Sequence, residues 1–247
     1  MMKEHVFYSL FVIAALVAAM AFMVTGKGKL SIQFQNYVED KSLRLDSVSY
    51  KNVLGQPYNV TMFKYYVGNF RLKNIRGREY ATKGYFLINQ EEKNSMQISI
   101  DNFPEGEYDT LIFTLGIDSM DNCSGAQSGA LDPVNGMFWA WNTGYVFLKM
   151  EGKSPASNST ARQLEFHIGG YKEPNNCIRV IRLPLKHAVK IGEKKNDIIK
   201  VQADVSHLFS APNPVDFSKL SSVVDYKNAS TIADNYATMF KIADEGK

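Results

Sequence analysis

What this 247-residue chain most lacks is charge of one sign: 28 Lys plus Arg face 25 Asp plus Glu, a formal +3. That balance excludes a strongly basic nucleic-acid binder on bulk charge. Its 8 prolines are scattered and no Pro-rich or Gly/Ser-rich linker divides the chain, so one domain is expected. No solenoid or propeller repeat is present. There is no GxSxG elbow, no P-loop, no HExxH and no GxGxxG opening a helix, so nucleophilic, nucleotide and zincin chemistries lack their usual signatures. No acid/base pair and no nucleophile with an orienting base can be named, which leaves an enzyme as the least supported reading. Histidine is scarce, with only His5, His167, His187 and His207.

What is there belongs to a folded protein: 45% hydrophobic, 21% charged and 12% aromatic residues. Val6 to Val24 (VFYSLFVIAALVAAMAFMV) carries no charge and is flanked by Lys3, Lys27 and Lys29. As a helix it would reach about 28 Å, the thickness of a bilayer core. Residues 1–27 therefore read as a signal peptide, with Ala19-Met20-Ala21 as a small-x-small cleavage site, or as an uncleaved membrane anchor. No Cys follows the run to take a lipid. Residues 28–247 form the exported domain, in the periplasm or at the cell surface, tethered if the segment stays.

Such a compartment tolerates disulfides, and Cys123 and Cys177 read most simply as one bridge; the alternative is two free thiols. Both sit in turn-rich stretches, DNCSG and KEPNNC, so a bridge would pin two loops at one end of the fold and contribute about 4 kcal/mol if unstrained. Apolar/polar alternation recurs along the chain. Leu30, Ile32 and Phe34 alternate with polar residues, as do Met96, Ile98 and Ile100, and Leu111, Phe113 and Leu115 form a third row. Further strands are expected over 44–50, 59–72, 82–89, 144–150, 163–168, 178–183 and 198–205. Helical periodicity is clear only where Ile232, Tyr236 and Phe240 follow a Ser230/Thr231 cap. The fold class is all-β, an antiparallel β-sandwich with a short carboxyl-terminal helix.

Asp118 to Gly136 breaks the rhythm with a run of Gly, Ser, Asn, Asp and Pro far longer than an ordinary connection. Directly after it, Met137-Phe138-Trp139-Ala140-Trp141-Asn142-Thr143-Gly144-Tyr145 holds both tryptophans of the protein. In a strand, Trp139 and Trp141 share a face; the bland reading is an aromatic core plug. Leu164, Phe166 and Ile168 make an apolar face, so His167 points away from it. Followed by Gly169 and Gly170, it is a candidate metal ligand, against the plain alternative of a solvated surface histidine. Asp118, Asp121, Asn122 and Asp132 could gather oxygens for Ca²⁺, but turn chemistry explains them better.

The run LxFTLGIDS, then ALDPxxGMFWAWNTGYVFLKMEG, then EFHIGG, preceded by FKYYVGNFRL, resembles the MbnP family of exported copper-binding β-sandwich proteins associated with methanobactin and with copper-repressible surface proteins. The likeness covers the chain from about residue 30 to the terminal helix. It implies a copper site in which one tryptophan is oxidised to kynurenine and joins histidine. The resemblance also implies that the oxidation is made by a separate dihaem partner similar to bacterial cytochrome c peroxidase. On matching positions it implies Trp139 and Trp141 as the oxidisable candidates and His167 as the imidazole, with Met137 a soft ligand. An intact indole has no good donor atom, whereas kynurenine brings an amine and a carbonyl. The chain departs from that pattern in offering no second motif histidine. The competing function is a surface or ligand-binding sandwich with an aromatic platform and no metal; exposed tryptophans would favour it.

Overall fold

The computed structural model describes residues 26–139, 144–193 and 197–244. The apolar run Val6 to Val24 and Trp141 therefore lie outside the described residues. Sixteen strands are described. They are β1 (Lys27–Val38), β2 (Lys41–Ser42), β3 (Tyr50–Lys51), β4 (Pro57–Asn74), β5 (Glu79–Ala81), β6 (Tyr85–Asn89), β7 (Gln97–Pro104) and β8 (Gly106–Leu115), then β9 (Phe138–Trp139), β10 (Gly144–Tyr145), β11 (Leu148–Lys153), β12 (Gln163–Ile168), β13 (Arg179–Ile191), β14 (Ile198–Asp204), β15 (Ser222–Val223) and β16 (Phe240–Ile242). They make two main sheets. The larger runs β13-β8-β4-β11-β12-β15, with β3, β5 and β6 also paired to β4; the smaller runs β16-β14-β1-β2, with β7 on β1. The pair β9–β10 stands apart.

The alternation read from the sequence is what faces the sheets together. Leu30, Ile32 and Phe34 of β1 are buried while their neighbours are not, and Leu164, Phe166 and Ile168 of β12 do the same from the other sheet. Between them sits an aromatic cluster. Phe34 packs edge-on against Phe113 at 5.6 Å and Phe113 against Phe240 at 5.2 Å, with Tyr65 and Phe70 completing the contacts. Such edge-to-face pairs add to the area that large rings bury. One polar link crosses the same layer, the Tyr65 hydroxyl donating to Asn36 Oδ1 at 2.9 Å.

Three expectations need amendment. The sheets are mixed: β1 pairs with β14 in parallel and β12 with β15 in parallel, because each partner arrives by a long connection rather than a hairpin. The stretch 44–50 is no strand; Asp46 takes φ 61 and the Ser47 N–H bonds to the Leu45 carbonyl, a turn that leaves only Tyr50 and Lys51 to pair with β4. At the carboxyl end the helix is Ala229–Ala237, with Asn228 rather than Ser230 or Thr231 at the cap position. Ile232 and Tyr236 supply its buried face, while Phe240 falls into β16 opposite Ala203.

The expected Cys123–Cys177 bridge is absent, and both thiols are free. Cys177 is fully buried, its carbonyl taken by the Tyr236 hydroxyl of the terminal helix and its thiol turned to the Asn175 carbonyl at 3.4 Å. Cys123 lies exposed at the end of the short helix Ser119–Cys123, with Sγ 3.1 Å from the Tyr171 hydroxyl. Tyr171 follows Gly170, whose carbonyl accepts the Cys177 N–H at 2.9 Å. The two loops do meet, through a thiol–phenol contact.

Candidate functional site

The long connection after β8 is folded, and the carboxylates of Asp118 and Asp132 are spent on folding it. Asp118 caps the short helix by accepting from the Asp121 N–H at 3.0 Å, and its other oxygen accepts from the Tyr85 hydroxyl at 2.6 Å. Asp132 caps the 3₁₀ turn Pro133–Asn135 through the Val134 N–H at 2.9 Å. Turn chemistry thus accounts for these carboxylates. Burial alone would raise the Asp118 carboxyl, but the Tyr85 hydroxyl and the cap N–H groups outweigh it and hold the acid below its ordinary value. Buried phenols hang the loop on the sheet: Tyr66 donates to the Ala130 carbonyl at 2.9 Å, and the Tyr145 hydroxyl lies 2.8 Å from the Leu131 carbonyl.

The loop delivers Met137 and Trp139. The Met137 carbonyl accepts the Val146 N–H at 2.9 Å, and Trp139 pairs with Gly144 in the β9–β10 ribbon. Met137 is fully buried, and Trp139 is only 6% exposed. The Trp139 ring meets Tyr226 edge-on at 5.7 Å between centroids and lies against Gly169. A Cβ at Gly169 would stand 2.9 Å from Trp139 Cζ3 and 2.5 Å from the Tyr145 carbonyl oxygen, so only glycine permits this approach. The next residue, Gly170, has φ +126 and a Cβ there would strike the Asn175 carbonyl. The paired glycines seat the indole two residues beyond His167.

His167 does point away from the core, as the alternation predicts, yet it is not a solvated surface histidine: its side chain is 18% exposed. It stands opposite Lys149 in the β11–β12 ladder, and its Nε2 is 2.9 Å from Glu151 Oε1. Lys149 Nζ is 3.4 Å from that same oxygen and 3.4 Å from the Gly136 carbonyl, at the point where the loop turns into Met137. Burial, helped by the Lys149 charge, lowers the His167 pKa, and the Glu151 carboxylate only partly opposes this. The contact is a short polar pairing of the imidazole with the Glu151 carboxylate, in a setting that disfavours the charged ring. Burial would raise Glu151, but the His167 hydrogen bond and the Lys149 charge together hold its carboxyl low.

The structure brings His167, Trp139 and the Met137 end of the loop to one end of the β11–β12 pair. Neither His187 nor His207 joins them, and His5 lies outside the described residues. His187 is exposed on β13, four strand spacings from β12, or about 19 Å. His207 sits in the turn after β14 with Nδ1 3.0 Å from Thr238 Oγ1. No group of three His, Cys, Asp or Glu side chains placed to hold a metal occurs among the described residues. Glu151 and Lys149 were missed from the sequence. The signal was available, since Leu148 and Met150 alternate with Lys149 and Glu151 and put both polar chains on the face of His167 once β11 and β12 pair.

The MbnP family model matches residues 27–228. No curated protein sequence matches the chain. Among solved structures, MbnP from Methylosinus trichosporium superposes with a TM-score of 0.58 at 15% identity, covering 89% of this chain and 99% of that one. A likeness at that identity speaks for the fold alone.

Proposed function

Because the chain belongs to the MbnP family, we propose that it is an exported, non-catalytic protein that binds copper as cargo at the His167 end of the β11–β12 pair. The observation that carries this reading is the seating of Trp139 on Gly169, two residues from His167, by a loop tied to the same strands through Lys149. As they stand, the described donors there are one imidazole and one carboxylate, His167 and Glu151. That is too few for a tight copper site. The set is completed only when an indole is opened to kynurenine, whose amine and carbonyl can coordinate. Trp139 is the described candidate; Trp141 lies outside the described residues, and Met137 offers a buried thioether nearby in the chain. A dihaem oxidase of the cytochrome c peroxidase type is the modifying partner in this reading.

Burial of Trp139 argues against the alternative of an exposed stacking platform. No helix among the described residues is long and apolar enough to cross a membrane. Export in this proposal rests on the amino-terminal segment. The test is intact-mass and metal analysis of protein recovered from its own host, beside a Trp139→Phe variant. The expected result is an oxidised tryptophan and stoichiometric copper in the wild type, with both lost in the variant. An unmodified mass without copper, from a host that makes the oxidase, overturns the reading.

A further inference from the structure

The apolar run Val6 to Val24 ends two residues before Gly26, the first described residue. Two residues span at most about 7 Å. The place of Gly26 on the fold therefore fixes which face would meet a membrane holding that run. It sits at the end of the sandwich where β8 starts. The Gly26 carbonyl accepts the Glu105 N–H at 3.0 Å, and two residues further on the Glu107 carbonyl accepts the Ile75 N–H at 3.3 Å. Two strand residues advance the chain by about 7 Å, so Ile75 is a close neighbour of the point where the chain leaves the domain. Ile75 stands in the turn between β4 and β5 and is 57% exposed. That turn is built rigid. Asn74 Oδ1 accepts the Arg76 and Arg78 N–H groups at 3.0 and 2.9 Å, and Gly77, at φ +86, closes it with its N–H on the Asn74 carbonyl at 2.8 Å.

Around the tip stand Lys27, Lys73, Arg76 and Arg78, none of which pairs with a carboxylate among the described residues. Three bordering acids are engaged elsewhere. Glu79 meets Arg71 at 3.4 Å and Arg182 at 3.2 Å, Glu107 meets Lys190 at 3.0 Å, and Glu105 Oε1 accepts the Glu193 N–H at 2.8 Å. We propose that this rim is a membrane-docking surface: with Val6 to Val24 held in the bilayer as an anchor, Ile75 enters the interfacial layer and the four cations meet the headgroups of anionic phospholipid. A single exposed isoleucine calls for no account by itself. Beside the end of a bilayer-length apolar run, and ringed by Lys and Arg, it has the composition that binds an anionic lipid surface. In this orientation β8 runs away from the bilayer. The long connection that follows β8 is then turned outward, toward any partner free in the compartment.

Neither copper nor an oxidised tryptophan is needed for the test. The full chain is reconstituted into vesicles of phosphatidylcholine and phosphatidylglycerol with brominated acyl chains as the quencher. Relative to the parent chain, Ile75→Trp is expected to add an emission that the brominated lipid quenches. Val134→Trp, exposed on the connection beyond the far end of β8, is expected to add one that it does not. Both positions are on the surface, so neither change disturbs the core. Arg76→Glu combined with Arg78→Glu in the Ile75→Trp chain is expected to cut the quenching about twofold or more, as are salt at about 0.5 M and vesicles of phosphatidylcholine alone. An Ile75→Trp emission no more quenched than that of Val134→Trp overturns the orientation. Quenching indifferent to lipid charge, salt and the double reversal overturns the anionic-lipid assignment. Intact mass of protein from its own host decides the anchor: a mature chain that has lost the residues through Ala21 overturns the proposal. Tryptophan oxidation and copper content, measured on the same sample, bear only on the function proposed above.

Discussion

The glycine under the Trp139 ring offers the sharpest single perturbation. In Gly169→Ala the new methyl carbon must sit 2.5 Å from the Tyr145 carbonyl oxygen and 2.9 Å from Trp139 Cζ3. The carbonyl belongs to the backbone of the β9–β10 ribbon, so relieving both clashes means shifting the chain at residue 169 away from the ribbon and from the indole it carries. Overpacking of this kind costs about 1–3 kcal/mol. Against it stands the stiffening of the unfolded chain by alanine, about 0.4–1 kcal/mol. The balance is a net loss of about 1–2 kcal/mol, which for a domain of this size lowers Tm by roughly 2–8 °C. Differential scanning calorimetry and tryptophan emission read the two halves: a lower Tm, and a red shift as Trp139 meets water. Gly106→Ala is the control, since a Cβ there lies at an ordinary 3.4 Å from the Tyr108 ring and should change Tm little. A Gly169→Ala protein as stable as wild type, with unchanged emission, refutes the seating of the indole on this glycine.

Thiol chemistry separates the two cysteines. Cys123 is expected to react with iodoacetamide in the native protein while Cys177, buried and with its thiol pushed up to about 12, labels only on unfolding; a native mass two hydrogens short would instead establish a bridge. Phe113→Ala, emptying the centre of the aromatic cluster, should cost about 3–5 kcal/mol in urea unfolding, and a loss under 1 kcal/mol would contradict its placement between the sheets. Asp216 accepts from the Ser218 hydroxyl, the Gln56 amide and the Ser218 N–H, which hold its pKa at about 2. A folded value below the unfolded one means its contribution is complete above about 3.9 and is lost as pH falls through about 2. Carboxyl NMR should therefore place the Asp216 midpoint near 2, and a midpoint at the ordinary carboxylate value would show those bonds to be absent in solution.

Most of the strand set was legible because one face of each strand is buried, and period-two alternation then writes itself into the sequence, as at Leu164, Phe166 and Ile168. The orientation of His167 followed from the same rule. Its partner did not, since Glu151 becomes a neighbour only through the pairing of β11 with β12, and pairing is a property of the sheet rather than of either strand. The parallel β1–β14 pairing was hidden for the same reason. Residues 44–50 misled because Val48 and Tyr50 are β-favouring side chains in a segment whose backbone turns at Asp46. The cysteines misled because an even count says nothing about whether two thiols face each other, and here one is turned inward beneath Tyr236.

The place of β1 in the smaller sheet makes its completion depend on a strand from far along the chain. β1 is flanked by β7 on one side and by β14 on the other, and Ser31 must wait for Ile198 before its second row of backbone groups is closed. A nascent chain that has emerged only as far as β13 therefore carries an open, ready-made template along β1, available to any extended segment it encounters.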